Sequence, residues 1–224
     1  MKYIVFLFAL IFSSPAWAAL AIDGQAAGTT SAALVTTKSN DIIICHFKST
    51  GSTTLSDNGP NLTYTLRAGT TLGFEAYAIA SAPFNATISS GASHITCFGI
   101  SGANTVTPFD VNASLPAINS AGGGSTSLGP ASPISTTAAN TMLLAFIEGD
   151  SSSLGTITEP SGFSSTGATG TSVIDSSYHI VSSSQSSISP TYSYTTAASS
   201  HGVWDAVQAA SGATAQENVL MSVP

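Results

Sequence analysis

The side chains that could do chemistry in this chain form no recognised catalytic motif. The serines lack a Gly-x-Ser-x-Gly elbow, so a serine-hydrolase interpretation has no anchor. An acid–base pair for glycoside cleavage would need carboxylates that converge in the fold. The sequence offers five such carboxylates: Glu75, Glu148, Asp150, Glu159 and Asp175.

The acidic pair Glu148 and Asp150 directly follows a hydrophobic run, so it lines a groove or forms a solvated turn. Asp57-Asn58-Gly59 lacks the full ligand spacing of a calcium loop and fits an Asx turn better. The histidines have no metal-ligand spacing. They are His46, His94, His179 and His201. We therefore predict no catalytic residue, no metal and no cofactor.

Two cysteines occur, Cys45 in DIIICHF and Cys97 in HITCFGI, both within strand-like runs. An exported protein can keep a disulfide, and we expect a Cys45–Cys97 bridge. The alternative is two buried small side chains that never meet, since free cysteine is often buried.

Aromatic side chains could form a platform on which sugars stack. Tyr192 and Tyr194 are two residues apart and therefore share one face of a strand. They are the candidate glycan-stacking residues, and packing in the core is the alternative.

The elements that position these residues are built from an almost uncharged, hydroxyl-rich chain. Of 224 residues, 15 are charged (7%, against roughly 25% in ordinary domains), and 38 Ser with 28 Thr make up 29%. No basic residue follows Arg67, which excludes nucleic-acid binding. The residues that fill exposed helix faces are scarce, which disfavours helices.

Residues 1–18 read as a signal peptide, with Lys2, an apolar core over 4–12 and the pattern Ala16-Trp17-Ala18. An uncleaved anchor is the alternative, although the apolar run is short for a membrane span. We predict a secreted or cell-surface protein with no membrane span after cleavage.

Short runs separated by turn residues predict an all-β chain. The candidate strands are 20–23, 31–37, 41–48, 61–67, 72–80, 85–89, 93–100, 132–136, 141–148, 171–181, 187–194 and 201–208. A weak self-similarity also runs through the chain. It pairs 36–44 with 136–144, 77–81 with 178–182, and 93–95 with 200–202.

These matches predict one two-sheet, jelly-roll-like β-sandwich built from two duplicated halves. The first half is 19–113 and the second 134–213. A flexible Gly/Ser-rich linker spans 114–133, and a C-terminal tail spans 214–224.

Two equivalent runs, 42–45 and 142–147, are apolar on both faces of the predicted strand. Either a loop or third layer covers the outer face, or that face packs against another subunit. In the second case Ile42, Ile44, Met142 and Leu144 are the subunit-contact residues.

The runs 40–44, 77–81, 98–103 and 108–110 resemble a β-sandwich type found in phage virion and tail proteins and in secreted bacterial surface proteins. The resemblance implies a jelly-roll-like sandwich with an adhesive or structural role, and no catalytic residues carry over. A signal peptide favours a cell-exported surface protein over a virion protein made in the cytoplasm.

We therefore expect an exported, non-enzymatic protein that acts through self-assembly or adhesion, as a filament, coat or virion-like component. Its partner is another copy of itself, a cell surface or a polysaccharide. The alternative is a carbohydrate-binding module, and a glycoside-processing enzyme comes third.

Overall fold

The computed structural model describes residues 19–49, 51, 54–91, 93–150, 153–166 and 173–210. The predicted signal peptide and the tail 214–224 lie outside these residues. All the regular secondary structure within these residues is β-strand, which confirms the all-β prediction. The described ranges contain no helix long and apolar enough to cross a bilayer.

The first half forms two antiparallel sheets. The order of the five-stranded sheet is β1-β8-β3-β6-β5, and that of the three-stranded sheet is β2-β7-β4. The first strand pairs with the eighth, the second with the seventh and the third with the sixth, which is the nested pairing of a jelly roll. The strands are β1 (Ala21–Gly28), β2 (Ser31–Val35), β3 (Asp41–Lys48), β4 (Ser56–Asp57), β5 (Thr65–Gly69), β6 (Gly73–Ala80), β7 (Asn85–Ser89) and β8 (His94–Ser101).

The second half repeats this topology, with each strand eight places later in the chain. Its sheets have the orders β9-β16-β11-β14-β13 and β10-β15-β12. The jelly-roll-like sandwich therefore occurs twice. The strands are β9 (Ala117–Ala121), β10 (Ser127–Leu128), β11 (Thr141–Gly149), β12 (Ile157–Thr158), β13 (Ser164–Ser165), β14 (Ile174–Val181), β15 (Tyr192–Tyr194) and β16 (Ser200–Gln208).

The residues matched in sequence occupy the same register positions in the two halves, and we call such residues counterparts. The residue before β3 and the one before β11 are also alike in backbone: Asn40 has φ 61° and Asn140 has φ 54°. Asparagine tolerates this left-handed conformation better than most residues. The register equivalences are Tyr77 opposite Ile44 with Tyr178 opposite Leu144, and His94 opposite Lys48 with His201 opposite Glu148.

The predicted linker 114–133 is wrong, because it contains β9 and β10 of the second half. Its Gly122-Gly123-Gly124 run lies in the turn between these strands, where Ser125 N–H donates to the Gly122 carbonyl. A Gly/Ser-rich stretch forms a tight turn as readily as a flexible linker, and composition alone does not separate the two.

Each half has its own core between its two sheets, and a third apolar layer lies between the halves. In this layer the two five-stranded sheets face each other. Strands β3 and β11 are apolar on both faces because one face packs in the core of its own half and the other packs against the opposite half. The prediction of a subunit contact is wrong, since each of its residues is 0% exposed and buried against the other half of the same chain. These residues are Ile42, Ile44, Met142 and Leu144.

The predicted disulfide is confirmed: Cys45 on β3 is bonded to Cys97, directly opposite on β8. In the second half the counterparts are Ala145 and Trp204, which are also directly opposite. The buried indole of Trp204 therefore fills the place that the cystine fills in the first half.

Replacing both cysteines by alanine should lower the free energy of unfolding by about 2–5 kcal/mol. The bridge closes a loop with a sequence separation of 52, so its loss frees the unfolded chain. Urea unfolding measures the effect, and reduced wild-type protein should show the same loss. An unchanged midpoint in both samples contradicts the prediction.

Candidate functional site

Among the described residues, the acid, base and hydroxyl groups that could take part in a reaction lie between the two halves, where polar side chains cross the apolar layer. Strand β14 packs against β8 and β3, and β16 packs against β6. Because β6 and β14 are counterparts, as are β8 and β16, the two sheets contact each other as across a two-fold axis. The site is thus an intramolecular version of a symmetric dimer interface.

His46 lies at the centre of this layer. Its Nε2 is 2.8 Å from Glu75 Oε2, and its Nδ1 is 2.9 Å from Ser176 Oγ in the other half. Ser176 Oγ is in turn 2.7 Å from Thr96 Oγ1. A continuous chain of carboxyl, imidazole and hydroxyl groups therefore connects the halves.

Carboxyl, imidazole and serine are the groups of a nucleophilic triad. Here Glu75, His46 and Ser176 are at most 1% exposed, and the His46 ring stacks on Phe146 with centroids 4.7 Å apart. A substrate cannot reach Ser176 Oγ while the sheets are packed. In this arrangement the three groups bond the halves to each other.

Burial sets the protonation of the central pair. Desolvation raises the pKa of Glu75 to about 7, and hydrogen bonding from Asp205 and the charge of Arg67 oppose it. Desolvation lowers the pKa of His46 to about 3, against the attraction of Asp205. Both shifts favour the uncharged forms, so near and below neutral pH the pair is a neutral hydrogen bond rather than an ion pair.

The network continues outward through Asp205 to Arg67, which lies at a register shift of β5. Arg67 Nε donates to Asp205 Oδ2 at 2.8 Å, and its guanidinium lies 4.5 Å from the centre of the Phe109 ring. Burial raises the pKa of Asp205 well above its usual value, the Glu75 carboxyl raises it further, and Arg67 opposes both. The Arg67 side chain is 25% exposed, so the network reaches the surface there.

A second contact joins counterparts of opposite charge. Lys48 Nζ is 3.5 Å from Glu148 Oε2, and it also donates to the carbonyls of Gly149 and Asp150. Burial raises the pKa of Glu148 to about 8, and Lys48 opposes this shift. Two copies of the first half would place lysine near lysine here, so the pair favours the observed combination of halves.

Most of the charge of the described residues lies inside the protein. Lys48 and Arg67 both contact carboxylates of the second half, and seven of the ten described carboxylates are buried. The low charge of the sequence is therefore lower still at the surface.

The five carboxylates proposed for glycoside cleavage do not meet at one site. Glu75 and Glu148 are buried between the halves, whereas Asp175 lies on the other face of β14 from Ser176, with its side chain near Tyr192. Asp150 follows Glu148 at the end of β11, and the half-buried Glu159 lies between β12 and β13, where its charge helps to raise the pKa of Asp175.

The glycan-stacking prediction is wrong for both tyrosines. Tyr192 is 0% and Tyr194 4% exposed, because the face of β15 that they share is the one that packs in the core. Tyr192 Oη donates to the Ala145 carbonyl and Tyr194 Oη is hydrogen-bonded to Ser200 Oγ, so both are satisfied inside.

Asp57 forms the predicted Asx turn. Its Oδ1 accepts from the N–H groups of Gly59 and Asn61, and its Oδ2 accepts from Leu62 N–H. Within the described ranges no group of three or more His, Cys, Asp or Glu side chains could hold a metal.

Sequence reasoning missed the joint role of His46, Ser176, Arg67 and Asp205. A usable signal was period two along β3, where His46 and Lys48 share the face of Ile42 and Ile44. A second signal was lysine in one repeat and glutamate at the matching position of the other.

The chain was compared with protein-family models, with curated proteins and with solved structures. None of them matches it. The function is therefore argued from the geometry and the surface of this chain alone.

Exchanging the charges of the Lys48–Glu148 contact tests the specificity of the interface. Lys48→Glu and Glu148→Lys should each destabilise the protein by about 3 kcal/mol, because the first leaves two buried carboxyl groups and the second two buried ammonium groups without a complementary partner. The double exchange should lose markedly less than the sum of the two. Chemical denaturation gives the values, Lys38→Glu is the exposed control, and additive losses contradict the prediction.

Stability should fall as the pH rises from 6.5 to 8.5. Glu75 and Glu148 have raised pKa values in the folded state, so their protonated forms stabilise the fold. This contribution to the free energy of unfolding is complete below about pH 4.3, the pKa of glutamate in the unfolded chain. The contribution is lost as the pH rises through the folded-state pKa of Glu75, about 7, and that of Glu148, about 8. Unfolded His46, with a pKa of about 6.5, adds a small slope of opposite sign at the lower end of this range.

We expect the Tm to decrease by roughly 5 °C over this interval. Calorimetry at matched ionic strength measures the effect. The variant Glu75→Gln with Glu148→Gln cannot titrate at these sites and should give a clearly shallower profile, in which Asp205 is the remaining buried carboxyl of raised pKa. An equally steep profile in the variant places the titrating groups elsewhere.

Proposed function

We propose that the protein is an exported, non-enzymatic structural or surface protein that acts through self-assembly or adhesion. Support comes from the location of its chemistry: the acid, base and hydroxyl groups that could act on a substrate are enclosed between the halves. The outer surface is then what remains for function.

That surface suits contact with other molecules. Among the described residues, the charged side chains that are not buried are few, and hydroxyl and amide groups dominate around them. Such groups exchange hydrogen bonds with a partner without the large cost of desolvating ions. The charged residues are Asp23, Lys38, Arg67, Asp150 and Glu159.

The observation that carries the proposal is an uncharged strand edge. Strand β9 ends the second five-stranded sheet with the sequence Ala-Ile-Asn-Ser-Ala, and Ile118 is 45% exposed. Soluble proteins usually protect such edges with lysine, proline or bulges. The edge of β9 carries no charged side chain, which favours strand addition between copies.

Export supports the same proposal. A disulfide between Cys45 and Cys97 persists in an oxidising compartment, and the pattern over 1–18 is typical of a signal peptide. The jelly-roll-like topology of each half agrees with the resemblance to phage virion and bacterial surface sandwiches. A filament or coat component outside the cell is the function we favour.

Ile118→Lys tests assembly through the edge of β9. The lysine puts a charge on the strand edge and should convert large species to monomers. Light scattering and negative-stain electron microscopy of the secreted protein report size. Ile180→Lys is the matched control, because Ile180 is also 45% exposed but lies on β14, inside its sheet.

Assembly lost with Ile118→Lys and kept with Ile180→Lys supports the proposal. A wild-type protein that stays monomeric at high concentration contradicts self-assembly. Assembly that survives Ile118→Lys places the contact away from β9.

Carbohydrate binding is the second candidate function. Its support is a cleft in the second half, away from the buried Tyr192 and Tyr194. We do not propose a glycoside-processing enzyme, because Glu75, Glu148 and Asp175 are at most 1% exposed, and a substrate cannot reach them.

A further inference from the structure

The cleft has a volume of about 390 Å³ and opens at the side of the second half. One side belongs to the five-stranded sheet, with Leu143 of β11 and His179 of β14. The other side is the segment that leads into β15. The remaining lining residues are Ser161, Phe163, Gln185, Ile188, Ser189, Pro190 and Thr191.

Comparison of the halves indicates why the second half has room here. The N–H of Gln185 donates to Thr136 Oγ1, as the N–H of Phe84 donates to Thr36 Oγ1, so Gln185 and Phe84 are counterparts. Phe84 is 1% exposed and packs in the core of the first half. Gln185 instead directs its amide to the Ser183 carbonyl and lines the cleft.

The other counterparts change in the same direction. His179 lies opposite Leu143 where the first half has Ala78 opposite Ile43. In the second half an imidazole and an amide thus occupy the places of an alanine and a buried phenylalanine. Polar groups and open space thus replace apolar packing at one place in the fold.

The walls of the cleft are held in place. The Phe163 and His179 rings meet edge to face, with centroids 5.6 Å apart. The turn before Phe163 is closed by its N–H, which donates to the Pro160 carbonyl. Gly162 has φ 84°, and a Cβ there would lie 3.2 Å from the His179 ring, so the turn packs tightly on the imidazole.

The lining chemistry selects the occupant. Phe163, Ile188 and Pro190 offer apolar contact, while the amide, imidazole and hydroxyl groups offer hydrogen bonds. None of the lining residues is Asp, Glu, Lys or Arg, so nothing there compensates an ionised ligand. A ring with apolar C–H faces and equatorial hydroxyls satisfies both requirements.

We propose that this cleft binds one ring of a neutral glucan-type glycan. The inference rests on the proposed surface role, for which it names a class of partner. Its site is separate from the β9 edge, so binding and assembly can fail independently.

The test uses the secreted protein with cellopentaose as the neutral probe and pentagalacturonate as the anionic one. Titration followed by two-dimensional NMR should show cellopentaose shifting resonances of residues lining the cleft, with weak, millimolar-range affinity. Gln185→Phe introduces the side chain that the first half has and should weaken binding at least tenfold. Phe163→Ala should weaken it similarly.

Gln185→Phe adds an apolar side chain to open space, so it should keep the Tm and near-ultraviolet spectrum of the wild type. It therefore reports on binding even if Phe163→Ala impairs folding. Ile180→Ala, outside the cleft, is the control and should bind like the wild type.

Absence of cellopentaose binding overturns the proposal. So does binding that Gln185→Phe leaves unchanged, or equal binding of pentagalacturonate. Loss of cellopentaose binding with assembly intact would leave self-assembly standing, and a monomer that still binds cellopentaose would leave the glycan site standing.

Discussion

The structure depends on the burial of one face of each five-stranded sheet against the other half of the chain. Strands β3 and β11 are apolar on both faces, so each half needs a cover on its second face as well as a core of its own. The duplicated half supplies that cover. Three apolar layers result, and the middle one exists only when both halves are folded. We expect the halves to unfold together.

The middle layer is chemically asymmetric although its backbone is repeated. His46 stacks on its counterpart Phe146, and Lys48 contacts its counterpart Glu148. Identical halves would oppose like groups at these places, so the differences between the repeats make the two surfaces complementary. This gives a physical meaning to the uneven charge of the sequence, in which the basic residues Lys48 and Arg67 of the first half meet acidic residues of the second.

Differences between counterparts also bear on function. Where they face the middle layer they join the halves, as the pair Lys48 and Glu148 does. Where they face outward they create local features, as Gln185 does in place of Phe84. The reactive groups are sequestered in the first set, which leaves the edge of β9 and the cleft as the surfaces open to partners. Both surfaces favour a contact protein.

Local patterns in the sequence determined the all-β class, because alternation and turn residues are properties of nearby residues, and comparison along the chain indicated the repeat. Two cysteines allowed one bridge, and the pairing of β3 with β8 decided that Cys45 and Cys97 meet. The apolar faces of β3 and β11 were visible too, but their cover was not. A strand pattern states that a face is buried and does not state against what. Tertiary structure alone decided that Ile42 and Met142 lie within one chain, that Tyr192 faces a core, and that His46 meets Ser176, 130 residues away. Those outcomes depend on how two sheets pack face to face, and side chains so distant in sequence leave no spacing signal.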